Sequence, residues 1–358
     1  MKRLILFELR KVFARRLSVI TLAGVLLFSA LLSFSTYQNK YAFDGVSAEG
    51  TGKRAVEIDK DIAARYAGLL TDEKVQQMME DFAPSHDLNG LNAVYLYENA
   101  TQSAVFSRFS DQDGNWNGLT VSDVFGEEEI KIGYVDGWLS TSRNLVRVFL
   151  ALALAVIILL ASIFSGEYEG LDNLLLASRY GRTKCATAKV ATGILTALLT
   201  TAVVAAFSLL LALAFYGREG LDCSILFAPN DYVEAFIPFN ITCGTLIQYQ
   251  ILLAFTCTLS MTGITLFLSA VSKNQIVALV ASAAIFLFPI LLPVTEKSPL
   301  FRLVGLLPIY HVLAVSLLSV EQMGNGMLYA IWAVPATLLF LGAGAGITCR
   351  AFARHQVS

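Results

Sequence analysis

Six runs of about 20 mostly apolar residues punctuate this chain, and each is long enough to cross the roughly 30 Å hydrocarbon core of a bilayer as a helix. They are Leu17–Ser35, Val148–Ser165, Ala191–Tyr216, Thr245–Ala270, Ile276–Thr295 and Met327–Cys349. A seventh apolar segment, Leu303–Val320, is interrupted by Pro308, Tyr310 and His311. Only 15% of the residues are charged and 56% are hydrophobic, whereas soluble domains carry roughly 25% charged residues. Hydrocarbon is therefore the expected solvent for much of the chain.

Lys and Arg near the span ends set the orientation. Residues 1–16 carry Lys2, Arg3, Arg10, Lys11, Arg15 and Arg16 against Glu8 alone, so the N-terminus is expected in the cytoplasm. Residues 37–142 hold eight Lys/Arg against eighteen Asp/Glu, a difference of −10, and are expected outside. The connection 166–186 returns inside, and so do Lys273 and the tail with Arg350 and Arg354. Six spans put that tail inside and seven put it outside. The seventh segment is therefore read as an outer re-entrant or interfacial hairpin over 296–326. Non-helical backbone at that depth needs protein or a cavity around it. The first run exceeds the usual apolar core of a secretory signal and reads as a retained anchor.

The expected architecture is an all-α polytopic protein of the plasma membrane with both termini cytoplasmic. A cytoplasmic amphipathic helix over 1–16 leads into transmembrane helix 1 (17–36). An α-rich extracytoplasmic domain (37–142) separates it from helix 2 (143–165). The connection follows, then helices 3–5 (187–295), the hairpin, helix 6 (327–349) and the tail (350–358). Within the outer domain, Arg54–Leu69 alternates apolar and charged residues at helical spacing. Thr71 is placed to N-cap a second helix, Asp72–Phe82, with Asp72 and Glu73 in its first turn. The stretch from Asp111 to Gly118 is rich in Asp, Asn and Gly, but Trp116 stands where a calcium loop needs Gly. It reads as a solvated turn.

No GxxxxGK[ST] phosphate loop, GxSxG elbow, CxxC or HExxH occurs. No catalytic, cofactor-binding or metal-ligating set is therefore expected, nor ATP binding by this chain itself. The informative segment is the connection. Its acids, Glu167, Glu169 and Asp172, come first, and its bases, Arg179, Arg182 and Lys184, come last, in the order the helix dipole favours. Leu171, Leu174, Leu175 and Ser178 share one face at helical spacing, and Gly181 suits a left-handed cap. These features describe an amphipathic interfacial helix, which many polytopic proteins carry without special function.

The element Glu167, Glu169 and Gly170 after the second span, then Leu174–Leu176, Ser178, Gly181, Arg182, Lys184 and Lys189, resembles the permease subunits of ABC-2 type transporters. The opening Leu6–Arg16 resembles that family's N-terminal interfacial helix, and the layout of outer domain and broken hairpin is similar throughout the chain. The family usually shows Pro before the Gly-Arg pair; Tyr180 stands there. The resemblance implies a type V exporter-like fold in which 166–186 is a coupling helix. Leu174 and Leu175 would be buried in a separate ABC ATPase subunit that binds ATP and Mg. Arg179 and Arg182 would meet its acids or lipid headgroups. It further implies that this chain is not itself an enzyme and pairs with a second permease subunit, as a homodimer or heterodimer. Membrane lipids, but no nucleic acid, are its other expected partners.

Polar groups inside the spans, among them Thr200, Gln248, Thr256 and Ser260, either bond helix to helix or line a substrate path. The absence of an acidic residue deep in any span argues against a proton-coupled carrier. Cys223 and Cys243 fall in one outer loop, where a disulfide is permitted, as are two free thiols. The competing reading is a membrane-anchored sensor or assembly factor that works through its outer domain without transport.

Overall fold

A computed structural model describes residues 1–82, 98–167, 181–229, 240–292, 303–313 and 329–354. In chain order its helices begin with α1 (Lys2–Phe13), α2 (Arg16–Gln38), α3 (Lys53–Tyr66), α4 (Asp72–Asp81), α5 (Ala100–Phe109) and α6 (Val121–Phe125). They continue with α7 (Asp136–Leu160), α8 (Ala186–Tyr216), α9 (Cys243–Val271), α10 (Gln275–Leu287), α11 (Pro308–Leu313) and α12 (Tyr329–Arg354). Among the described residues, four short strands, β1 (Tyr41–Phe43), β2 (Glu49–Thr51), β3 (Gly68–Leu69) and β4 (Lys131–Ile132), form two antiparallel pairs, β1–β2 and β3–β4. The chain folds into two compact units, one of residues 1–29, 146–207 and 249–358, the other of 30–145 and 208–248.

Among the described residues, five helices, α2, α7, α8, α9 and α12, are long and apolar enough to cross a membrane. Leu17, Ile20 and Leu31 on α2 and Leu338 and Leu339 on α12 are exposed, at 59–68%. Apolar surface on that scale is unfavourable in water and natural in hydrocarbon. The expected fifth span, Ile276–Thr295, is shorter among the described residues. The 13 residues of α10 pass into a four-residue 3-10 turn, Phe288–Leu291. Pro289 accounts for the change, because it lacks an N–H and its ring conflicts with the carbonyl four residues back. Helix and turn together span about 27 Å, a little less than the hydrocarbon core of roughly 30 Å. Of the hairpin, 303–313 is described and contains α11; 296–302 and 314–326 lie outside the described residues.

The first unit is held by small residues and hydroxyls. Gly263 on α9 lies against α12, where an added Cβ would sit 2.7 Å from Leu341 Cα. One added at Gly344 on α12 would run into the Gly263 carbonyl. Ser260 donates to Thr337 Oγ1 at 3.0 Å, and Thr337 donates to the Thr256 carbonyl at 3.1 Å. Thr256, Ser260 and Gly263 recur every three or four residues, so one stripe of α9 faces α12. This is the small-residue and hydroxyl packing that replaces the hydrophobic effect between membrane helices. On the α8 side, Thr201 and Thr258 hydroxyls meet at 2.9 Å.

The second unit has a water-type core. Ile58, Ile62 and Tyr66 of α3, Val75 and Met78 of α4, and Phe106 and Phe109 of α5 pack with Ile130 and Ile132. The Thr71 hydroxyl caps α4 by accepting from Lys74 N at 3.3 Å, as its sequence position predicts. Asn99 caps α5, and Thr120 with Asp123 forms a capping box on α6. The expected helix Arg54–Leu69 ends sooner, at Tyr66. Gly68 turns the chain with φ of +109°, and Leu69 pairs with Lys131. The two short strand pairs accompany helices that make up most of this region, in keeping with an α-rich fold.

The second long helix also begins earlier than expected, at Asp136, and ends at Leu160. Ser140, Thr141, Ser142 and Asn144 are buried polar residues. A hydropathy reading stops where they begin, although the helix does not.

Candidate functional site at the roots of the connection

Residues 168–180 lie outside the described residues, so Glu169, Gly170, Leu171, Leu174, Leu175, Ser178 and Arg179 are not placed. The two roots of that segment are. The leading root follows α7 through Ile163 and Phe164 into a 3-10 turn, Ser165–Glu167. The trailing root is a π-helical turn, Gly181–Cys185, which contains Gly181, Arg182 and Lys184 and continues into α8. Lys184 is exposed.

Both roots meet at Lys189, in the first turn of α8. Its ammonium is fully buried and donates to Glu8 Oε2 at 3.1 Å and to the Ile163 carbonyl at 3.0 Å. It also sits 5.7 Å from the Phe164 ring centre. Glu8 is buried at 6% side-chain exposure. The helix that carries Glu8, α1, buries Glu8 and Val12 on one face, one turn apart. Its last-turn cations Arg10 and Lys11 suit the negative end of the dipole. Further ties run alongside: Arg15 donates to the Ser162 hydroxyl, and Thr192 donates to the Ile5 carbonyl at 3.4 Å. The leading root is closed by Ser269 of α9. Its hydroxyl accepts from Phe164 N at 3.1 Å and Ser165 N at 3.2 Å and donates to Ala161 O at 2.7 Å. Phe164 also packs on Phe352 of α12, with ring centres 5.2 Å apart.

A buried ion pair adds little net stability over an apolar pair of the same shape, but breaking one side strands a charge at a cost of several kcal/mol. The arrangement is thus a fastening that keeps the N-terminal helix and both roots of the connection together. Glu8 looked in the sequence like one acid among six bases, and Lys189 like one more cytoplasmic cation. The available signal was a single Lys in the first turn of an otherwise uncharged 31-residue helix.

The other expected residues are spread out. Thr200 and Thr256 bond back to carbonyls of their own helices, Thr196 O and Leu253 O, both at 2.8 Å. Ser260 engages Thr337, and Gln248 is exposed. Cys223 and Cys243 are neighbours: both are buried free thiols, and Cys243 N donates to Cys223 O at 3.0 Å. Burial pushes the Cys223 thiol up to about 11. In the expected turn, Asp111 Oδ1 accepts from the backbone amides of Asp113 and Asn115, each at 2.9 Å. Elsewhere in that unit, desolvation lowers the buried Arg108 guanidinium to about 10; it donates to the Ala104 and Ala228 carbonyls, each at 2.8 Å.

No family model, curated protein or solved structure matches this chain.

Proposed function

We propose that this chain is the membrane-spanning permease subunit of an ATP-driven exporter, working as a dimer with a separate ATPase subunit. The observation that carries the reading is the fastening at Lys189. A segment that receives force from a partner must be rooted in something stiff. Here the leading and trailing roots of 168–180 are joined to each other and to α1 by one buried ammonium. A push on the connection would therefore move α7, α8 and α1 together as a rigid body, the form of motion by which packed bundles alternate. The amphipathic pattern of Leu171, Leu174 and Leu175 supports a partner-facing surface on the segment between the roots. In this scheme the connection faces the cytoplasm and the second unit lies outside the cell.

Replacing Leu174 and Leu175 together with Asp tests it. An unpaired charge in a buried contact costs several kcal/mol, against about 8 kcal/mol for a partner held at micromolar strength. The variant should reach the membrane at wild-type levels and lose its co-purifying ATPase together with the associated ATP hydrolysis. Retention of that partner at wild-type stoichiometry would overturn the reading. The second reading, a membrane-anchored sensor, is favoured by one observation: the second unit has its own water-type core.

A further inference from the structure

The second unit contains a polar cavity of about 340 Å³ whose wall carries five charged side chains, Lys40, Asp59, Glu98, Asp136 and Arg143. It lies where the end of α2, the start of α7, and the helices α3 and α5 come together. Asp59 is 2% exposed and Asp136 is 9% exposed, so both carboxylates are deep in the wall. Both are paired with the same ammonium, that of Lys40, which is 3.7 Å from Asp59 and also bonded to Asp136. Asp59 is held further by the Ala100 amide, which donates to its Oδ1 at 3.0 Å.

Two cations and three carboxylates leave the wall with a formal charge of −1. The imbalance is concentrated where one ammonium serves two buried carboxylates. Desolvation raises the Asp59 carboxyl above its ordinary range, although Lys40 and the Ala100 amide pull the other way. The region 37–142 as a whole has eighteen acids to eight bases, a field that concentrates cations at its surface. Hydroxyls from Ser103 and Ser140 line the same space. We propose that this cavity is a binding site for a small organic cation bearing a primary amine, whose ammonium lies between Asp59 and Asp136 as a second partner beside Lys40. The assignment rests on the cavity and its charges, and it stands whether or not the chain transports anything. A ligand there would touch α3 and α5 of the folded domain together with the ends of α2 and α7, so occupancy would stiffen that junction.

The test uses the full chain in nanodiscs of uncharged phosphatidylcholine, titrated calorimetrically with butylammonium chloride. Sodium butyrate, butanol and sodium chloride at matched ionic strength serve as comparisons. Butylammonium should bind saturably and the other three should not. Asp136→Asn should weaken binding about thirtyfold, the scale of losing one partner of a buried charge pair. Ser140→Leu, which keeps every charge and fills the space, should abolish it and decides the question even if Asp136→Asn fails to fold. Butyrate binding as well as butylammonium, heat no greater than that of sodium chloride, or wild-type affinity in Ser140→Leu would each overturn the assignment.

Discussion

Replacing Lys189 with Met removes the ammonium that pairs with Glu8 at a buried position. Lys189 is fully buried and the Glu8 side chain is 6% exposed, with 3.1 Å between the charged atoms. The single variant strands a carboxylate, and Glu8→Gln takes the countercharge from a buried ammonium that also donates to the Ile163 carbonyl at 3.0 Å. Stranding one member of a buried pair costs about 3–5 kcal/mol, while replacing both by groups of similar volume is close to neutral. Each single variant should therefore lose about 3–5 kcal/mol, and Glu8→Gln with Lys189→Met together should lose under about 1.5 kcal/mol. The four proteins form a cycle, and its non-additivity isolates the pair. Unfolding free energies in mixed detergent micelles, titrated with SDS, give the four numbers. Singles within about 0.5 kcal/mol of wild type, the range of ordinary surface changes, or a double variant equal to the sum of the singles, would refute the buried-pair reasoning.

The crossing of α9 and α12 leaves no room for a side chain at Gly344, so Gly344→Ile should cost about 3 kcal/mol in the same SDS titration; wild-type stability would show that the helices are not in contact there. Asp59 sets a pH dependence in the second unit. Its folded-state carboxyl is raised above the ordinary 3.8 by desolvation, so between those two values the folded protein holds more protons than the unfolded chain, and stability falls as pH rises through that window. Asp59→Asn should flatten this part of the profile of unfolding midpoint against pH, and an unchanged slope would assign it to another group.

The long helices were legible because apolar runs of span length have few other uses. The start of α7 was not, because Ser140, Thr141, Ser142 and Asn144 are buried against protein and a hydropathy reading treats them as solvent-facing. Thr71 was legible as a cap because capping is local chemistry, three residues from donor to acceptor. The strand pair of Leu69 with Lys131 was not, because its partners are more than 60 residues apart and only two residues long on each side. The same holds at the candidate site. The amphipathic order of the connection could be read along the chain, whereas the ion pair that roots it joins residues 181 apart in sequence. Each half has an ordinary local explanation: Glu8 as one turn of an interfacial helix, Lys189 as a cation at a span end. Likewise Lys40 lies between α2 and β1, Asp59 on α3 and Asp136 at the start of α7, and only the fold brings two carboxylates to one ammonium.

The central claim, that this chain is one half of an ATP-driven transporter's membrane portion, is tested most directly by weighing the intact complex. The chain would be extracted from its own membrane with a mild detergent and analysed by native mass spectrometry, with partner subunits identified from their peptides. The account predicts an assembly with two permease subunits, of this chain alone or with a sibling, and a soluble ATPase that carries a phosphate-loop sequence and is present in two copies. It also predicts that the Leu174→Asp, Leu175→Asp variant gives the permease pair without the ATPase. A wild-type chain recovered at full yield with no ATPase in any charge state would contradict it.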